Sequence, residues 1–299
     1  CRTEFSLYWR KEAEMIRLDN VKVSFKEKVA VDLGRTIEIE KGERVGIIGS
    51  NGAGKSTLLK SILGLVPHQG NITLGIPSNE IAVHMQQNEY IETVPIRIII
   101  EMIMGCKIRD NPKLVEMIEF FEFEDCLKKR WKHLSGGQKQ RLTLILVMCK
   151  DSEIVMFDEV TSGLDFETRQ RLMDKLVEWY KDKNTTLLIT SHYYTELENL
   201  ATKILYLKSG KVVDYGSKEE LFHKYCGNSV LIFRNTKKAE NIAKMHRQLI
   251  APGGFVVLSC RDIDEEFEIT EKLVRNHINY RRSDNDIEIM TINAGGNNE

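Results

Sequence analysis

The sequence predicts an α/β fold: a core with a mostly parallel sheet, an N-terminal antiparallel β subdomain, an all-helical insert and a small C-terminal α+β appendage. Three observations predict it. Arg44–Ile48 reads as a short buried strand, enters the glycine-rich segment 49–57 and continues into helical spacing over 57–63. Ile154–Phe157 and Thr186–Thr190 are short runs of the kind that form central parallel strands covered on both faces. Over residues 93–133 the period turns helical, with Leu114, Met117, Ile118 and Phe121 on one face.

In chain order, 16–25, 36–40 and 44–48 are strand-like, punctuated by Gly34 and by Lys41-Gly42-Glu43. Two further short strands flank Gly75–Asn79 within residues 70–85. Val94–Met104 opens the helical insert, and helix returns at Gly136–Cys149 and over 167–181. Ile204–Leu207 and Val212–Val213 pair as a hairpin across Ser209-Gly210. Residues 15–227 are therefore expected to form one domain, with its helical part at about 88–135. Residues 228–293 are expected to form the appendage: strand 230–233, helix 237–250, strand 255–258, helix 264–278 and strand 287–292. The tail 294–299 is expected to be loose, and 1–14, before Met15, to be a non-native or disordered extension.

The chain has 299 residues, 42% hydrophobic and 29% charged, which suits a globular protein rather than a disordered one. A formal net charge of −1 gives no footprint for nucleic acid, and none is expected as a partner. The one basic run with an aromatic, Lys128-Lys129-Arg130-Trp131-Lys132, reads as a solvated helix end or loop. No apolar run is long enough to span a membrane. The six cysteines are scattered without a C-x-x-C pair, as in a reducing cytosol.

Residues 49–57 read Gly-Ser-Asn-Gly-Ala-Gly-Lys-Ser-Thr, the pattern G-x-x-x-x-G-K-[ST] in register. Between a strand and a helix it makes the core that of a P-loop NTPase. The backbone amides of Gly49, Ser50, Asn51, Gly52, Ala53, Gly54 and Thr57 cradle phosphate, and the helix N-terminus adds partial positive charge. Lys55 reaches the β- and γ-phosphates, and the Ser56 hydroxyl ligates Mg²⁺. The apolar strand 154–157 ends in Asp158 and Glu159. It delivers Asp158 beside the loop to hold Mg²⁺ and leaves Glu159 to polarise water as general base. The bland alternative is an acidic turn after a strand.

Leu134-Ser135-Gly136-Gly137-Gln138, continued by Lys139-Gln140-Arg141, resembles the signature motif of ABC-type ATPases. The resemblance covers residues 16–222 in several ordered motifs. Ser162-Gly163-Leu164-Asp165 matches the D-loop, His192 after Thr186–Thr190 the switch histidine, and 207–217 the closing hairpin. Gln86 stands at the Q-loop glutamine, with Gln87 as its rival, and Phe25 at the aromatic that stacks on adenine, with a core aromatic as the alternative. The resemblance implies that Gln86 senses Mg²⁺ and the γ-phosphate, and that His192 contacts the γ-phosphate beside Glu159. It implies that Ser135, Gly136, Gly137, Gln138 and Asp165 serve ATP held by another copy, in a head-to-tail homodimer enclosing two ATP molecules. An integral membrane permease on a separate chain is the implied partner, docked at the helical insert on the cytoplasmic face. Val160 and Ser152 stand where the family often has proline, and neither removes a reacting group. Among transport roles the chain resembles exporters of drugs, antimicrobial peptides or lipids. The alternatives are an importer ATPase and a non-transport ABC ATPase.

Overall fold

The computed structural model describes residues 14–85 and 90–296. Gln86 and Gln87, and the expected extension up to residue 13, lie outside them.

The N-terminal strands are β1 (Glu14–Phe25), β2 (Lys28–Asp32) and β3 (Thr36–Glu40), followed by β4 (Arg44–Ile48). Glu14 pairs with Glu40, so the ordered sheet starts one residue before Met15. Helix α1 (Lys55–Ile62) leads to β5 (Gln69–Leu74) and β6 (Ala82–His84). The insert holds α2 (Ile96–Met104) and α3 (Pro112–Phe120). Gly105 ends α2 at φ 68°, and Asn111 caps α3, accepting from Leu114 N with Pro112 in the first turn. Trp131 of the basic run is buried against Tyr90, ring centroids 4.9 Å apart, so its ring serves the core.

Next come α4 (Gly136–Cys149), β7 (Ile154–Asp158), α5 (Phe166–Tyr180), β8 (Thr186–Thr190) and α6 (Tyr194–Leu200). Strands β9 (Lys203–Lys208) and β10 (Lys211–Ser217) close the hairpin. Its two turn residues, Ser209 and Gly210, both have positive φ (50° and 81°), which matches the twist of the flanking strands. Helix α7 (Lys218–Cys226) opens with a Ser217/Glu220 capping box.

The main sheet runs β3-β1-β2-β10-β9-β4-β8-β7-β6, with β5 on β1. Its core β9-β4-β8-β7-β6 is parallel, and the N-terminal strands pair antiparallel. Successive residues of each core strand feed opposite faces. Val155, Phe157, Leu187 and Ile189 join the core beneath the helical insert. Ile154, Met156 and Leu188 join the core with α1 and the N-terminal strands. Parallel pairing brings the carboxyl ends of β4, β7 and β8 together, with Asp158 opposite Thr190 and Ile47 also beside Thr190. That shared edge is where an open α/β sheet places its ligand.

The C-terminal unit contains β11 (Ser229–Arg234), α8 (Lys237–Ala243), β12 (Gln248–Leu249), β13 (Phe255–Cys260), α9 (Ile263–Arg275) and β14 (Tyr280–Ser283). The four strands are antiparallel in the order β12-β13-β11-β14. Leu231 and Phe233 face α8 and α9, while Val230 and Ile232 face the core of the main domain. Two expectations fail here. The predicted strand 287–292 is helix α10 (Ile287–Gly296), and residues 294–296 of the predicted loose tail supply its last turn. Asp286 accepts from Ile289 N at 2.9 Å, and Glu198 accepts from Ile287 N at 3.1 Å. Ile287, Met290 and Ala294 pack at helical spacing into the main core, so tertiary burial overrides the β-branched propensity of the run. The polar strand β14 was not expected, and the helix expected over 237–250 stops at Ala243.

Candidate active site

The glycine loop leaves β4 and enters α1 through backbone conformations that only glycine adopts at low cost. Gly49 has φ 151°, and a Cβ there would lie 2.3 Å from Leu207 O. Gly54 has φ 101°, and a Cβ there would lie 2.7 Å from Ala30 O. The loop is thus pressed against the β9–β10 hairpin and β2. Lys55 is buried, and its Nζ donates to Gly49 O at 2.8 Å and Ser50 O at 3.4 Å. Burial holds its pKa below the usual lysine range, opposed by the charges of Glu159 and Asp158.

Asp158 ends β7 fully buried, and its Oδ1 accepts from Ser56 Oγ at 3.0 Å and from Thr190 Oγ1 at 2.7 Å. Glu159 follows with φ 52°, a left-handed conformation costing of order 1 kcal/mol or more for a residue with a Cβ. Its N–H donates to Thr190 Oγ1 at 3.0 Å and Thr190 O at 3.2 Å, which holds that turn. The Glu159 carboxylate lies 2.5 Å from His192 Nε2 and 4.0 Å from Lys55 Nζ. The structure therefore brings Lys55, Ser56, Asp158, Glu159 and His192 to one point.

A cavity of about 570 Å³ opens beside them, lined by Phe25, residues 51–57, Glu159 and Ser209 among others. That volume suits a nucleotide-sized ligand. Phe25 is half exposed at the end of β1, so it is a wall of the cavity and not a core aromatic.

The profile of the ABC transporter family matches residues 34–162. The Nod factor export ATP-binding protein I of a Rhizobium species is 30% identical over 267 residues, covering 84% of this chain and 87% of that protein. This chain belongs to the ABC transporter ATP-binding family. The methionine import ATP-binding protein MetN of Lactobacillus delbrueckii is 29% identical, with 77% and 75% covered. The linearmycin resistance ATP-binding protein LnrL of Bacillus subtilis is 29% identical, with 73% and 74% covered. A dimeric ATP-binding cassette solved in a post-hydrolysis state with ADP and Pi superposes with a TM-score of 0.60 at 24% identity, covering 68% of this chain and 98% of that one. The P-loop NTPase fold expected from the glycine loop is thus the fold observed, and the chain is an ATP-hydrolysing, nucleotide-binding subunit of a transporter.

The remaining motif residues of this ABC ATPase lie elsewhere. Ser135 caps α4 in a capping box: its Oγ accepts from Gln138 N at 3.3 Å, and Gln138 Oε1 accepts from Ser135 N at 3.1 Å. Gln138 thereby serves its own helix terminus. Ser135 and Gly136 are exposed, and Gly137 is half-buried. Asp165 caps α5, accepting from Thr168 N at 3.0 Å, and that bond lowers its pKa. None of these five residues lines the cavity at Phe25 and Lys55. Gln86 lies outside the described residues.

Sequence reasoning passed over Thr190, which touches both Asp158 and the backbone of Glu159. A hydroxyl at the carboxyl end of the apolar run 187–189 was its one signal. It also passed over His84, buried at the end of β6 with Nε2 donating to Gln140 Oε1 at 2.7 Å. Gln140 in turn donates to Ser162 O at 3.4 Å. Burial pushes His84 down to about 4.

The donor set suits Mg²⁺: one hydroxyl, Ser56, and one carboxylate, Asp158, both hard oxygens beside a phosphate cradle. Among the described residues no group of three or more His, Cys, Asp or Glu side chains forms a metal cage of its own. No helix among the described residues is long and apolar enough to cross a membrane.

Proposed function

We propose that this cassette powers export through a membrane permease carried on a separate chain, with drugs, antimicrobial peptides or lipids as cargo. The observation that carries the direction is the reach of the Nod factor export relative, which matches 84% of this chain and so extends beyond the cassette alone. The linearmycin resistance relative supports the cargo class. Import is the second reading, favoured by the methionine import relative at 77% coverage.

In each copy the amides of 49–57 and Lys55 grip the triphosphate, and Phe25 stacks on adenine. Ser56 and Asp158 hold Mg²⁺, which neutralises phosphate charge when bound. Glu159 takes the proton of the attacking water. His192, 2.5 Å away, orients that carboxylate and contacts the γ-phosphate. Gln86 reports the bound state to the helical insert. Ser135, Gly136, Gly137, Gln138 and Asp165 complete the site of a second copy in a head-to-tail homodimer. The exposure of Ser135, Gly136 and Asp165, and the absence of all five from the lining of their own chain's cavity, support that division of labour. The permease docks on the insert at the cytoplasmic face of the membrane. An apolar groove of Tyr90, Ile91, Ile99, Met102 and Ile103 supports this, with Met102 63% exposed.

Glu159→Gln keeps the shape of the site and removes the base, so turnover is expected to fall by roughly 10²–10⁴-fold while ATP is still bound. Hydrolysis at the parent rate would sink the role of Glu159. The same variant, used as bait in solubilised membranes, is expected to retain a multi-span permease. Ribosomes or DNA in its place would sink the transport role. ATP-driven accumulation of amphipathic peptide or lipid in inside-out vesicles carrying the complex supports export, and uptake only in the opposite orientation supports import.

A further inference from the structure

Glu196 belongs to none of the nucleotide motifs, yet its carboxylate is buried and engaged at both oxygens. It is 6% exposed. Thr161 Oγ1 donates to Oε1 at 2.8 Å, and Ser191 Oγ donates to Oε2 at 2.6 Å. Thr161 lies two residues beyond Glu159, and Ser191 immediately precedes His192. Ser191 Oγ also accepts from Tyr193 N at 2.9 Å, which pins the turn across His192. On the far side Arg169 Nε stands 3.8 Å from Oε1, and its guanidinium lies 3.8 Å above the Tyr193 ring. Burial raises the pKa of Glu196, opposed by the two hydroxyls and by the charges of Arg169 and His192. Filling this volume needs no charge, since apolar residues do so without the desolvation cost of a carboxylate. A carboxylate does what they cannot: it ties two loops to one rigid group.

We propose that Glu196 is a positioning residue, holding Glu159 and His192 in one geometry by anchoring Thr161 and Ser191 to a single carboxylate. The inference rests on the reading of Glu159 and His192 as reacting groups. A displacement of about 1 Å at such groups costs up to ~10²-fold in rate.

The test is steady-state ATP hydrolysis with Mg²⁺ on the full chain. Glu196→Ala is expected to lower kcat by about 10²-fold with KM within about twofold. Glu196→Gln keeps one acceptor oxygen and should lose about 10-fold. Glu196→Ala combined with His192→Ala is expected to lose clearly less than the product of the two single losses, because the Ser191 arm acts through His192 and only the Thr161 arm is left to lose. A merely structural role would instead multiply the two losses and raise KM, and either result overturns the proposal. Parent kcat in Glu196→Ala, with His192→Ala slow, overturns the proposal alone. Parent kcat in His192→Ala overturns the reading of His192 and the proposal with it. If Glu196→Ala does not fold, Ser191→Ala and Thr161→Val each cut one arm. Each should lower kcat about 10-fold at constant KM, and parent kcat in both overturns the proposal.

Discussion

Thr190→Val removes one oxygen from the centre of the site while keeping the side-chain volume. Thr190 is fully buried, and its Oγ1 donates to the Asp158 carboxylate at 2.7 Å. A hydrogen bond to a charged group contributes about 1.5–3 kcal/mol. The same oxygen accepts from Glu159 N at 3.0 Å. That N–H keeps the Thr190 carbonyl at 3.2 Å, so the second loss is smaller, ~0.5 kcal/mol. The new buried methyl returns up to about 0.8 kcal/mol. The net loss is about 1–3 kcal/mol, or a fall in Tm of roughly 2–5 °C for a chain of this size. Scanning calorimetry at neutral pH without nucleotide measures it. Thr186→Val, at the other end of β8, is the control. Thr186 is equally buried, but its hydroxyl accepts only from the part-exposed Gly42 N–H at 3.0 Å, where water can substitute. Its expected loss is under ~1 kcal/mol. If both variants melt together, the carboxylate bond does not carry the weight assigned to it. Turnover should also fall about 10-fold in Thr190→Val alone, because Glu159 loses part of what holds its left-handed turn.

Gly54→Ala should abolish binding of a fluorescent ATP analogue, because its Cβ meets the Ala30 carbonyl at 2.7 Å, whereas Gly52→Ala faces open space and should lose only about 1 kcal/mol to its positive φ. Met290→Ala should cost about 2–5 kcal/mol in denaturant unfolding, since Met290 is 2% exposed in the main core; an unpacked segment there would cost almost nothing. His84 binds its proton less well when folded, at about 4 against 6.5 unfolded, so the unfolded chain holds more protons between those values. Its contribution to stability is complete above pH 6.5 and is lost as pH falls toward 4, about 3 kcal/mol in all. His84→Leu should flatten the fall in Tm from pH 7 to pH 4.5 relative to the parent, and equal slopes would refute the assignment.

The glycine loop, the two carboxylates after β7 and the histidine after β8 were legible because each is a local pattern at a strand end. Parallel pairing then leaves little choice about where those ends meet. Phe25 was legible only through resemblance, since an aromatic on a strand reads equally well as core. Thr190 and Glu196 were not legible: their partners, Asp158 and Thr161, lie more than thirty residues away in sequence.

By itself, the sequence determined the P-loop core, the order of the motifs and the polar groups that meet at the carboxyl ends of β4, β7 and β8, because backbone conformation and strand burial are written within a few residues. Only the tertiary structure decided that 287–296 is a helix packed on the main domain. The same short run of isoleucines satisfies a strand or a buried helix, and the surface it meets makes the choice. Only the fold, likewise, placed Glu196 between Thr161 and Ser191 and closed the loops around Glu159 and His192. A hydrogen bond between distant segments has no signature until the chain has folded.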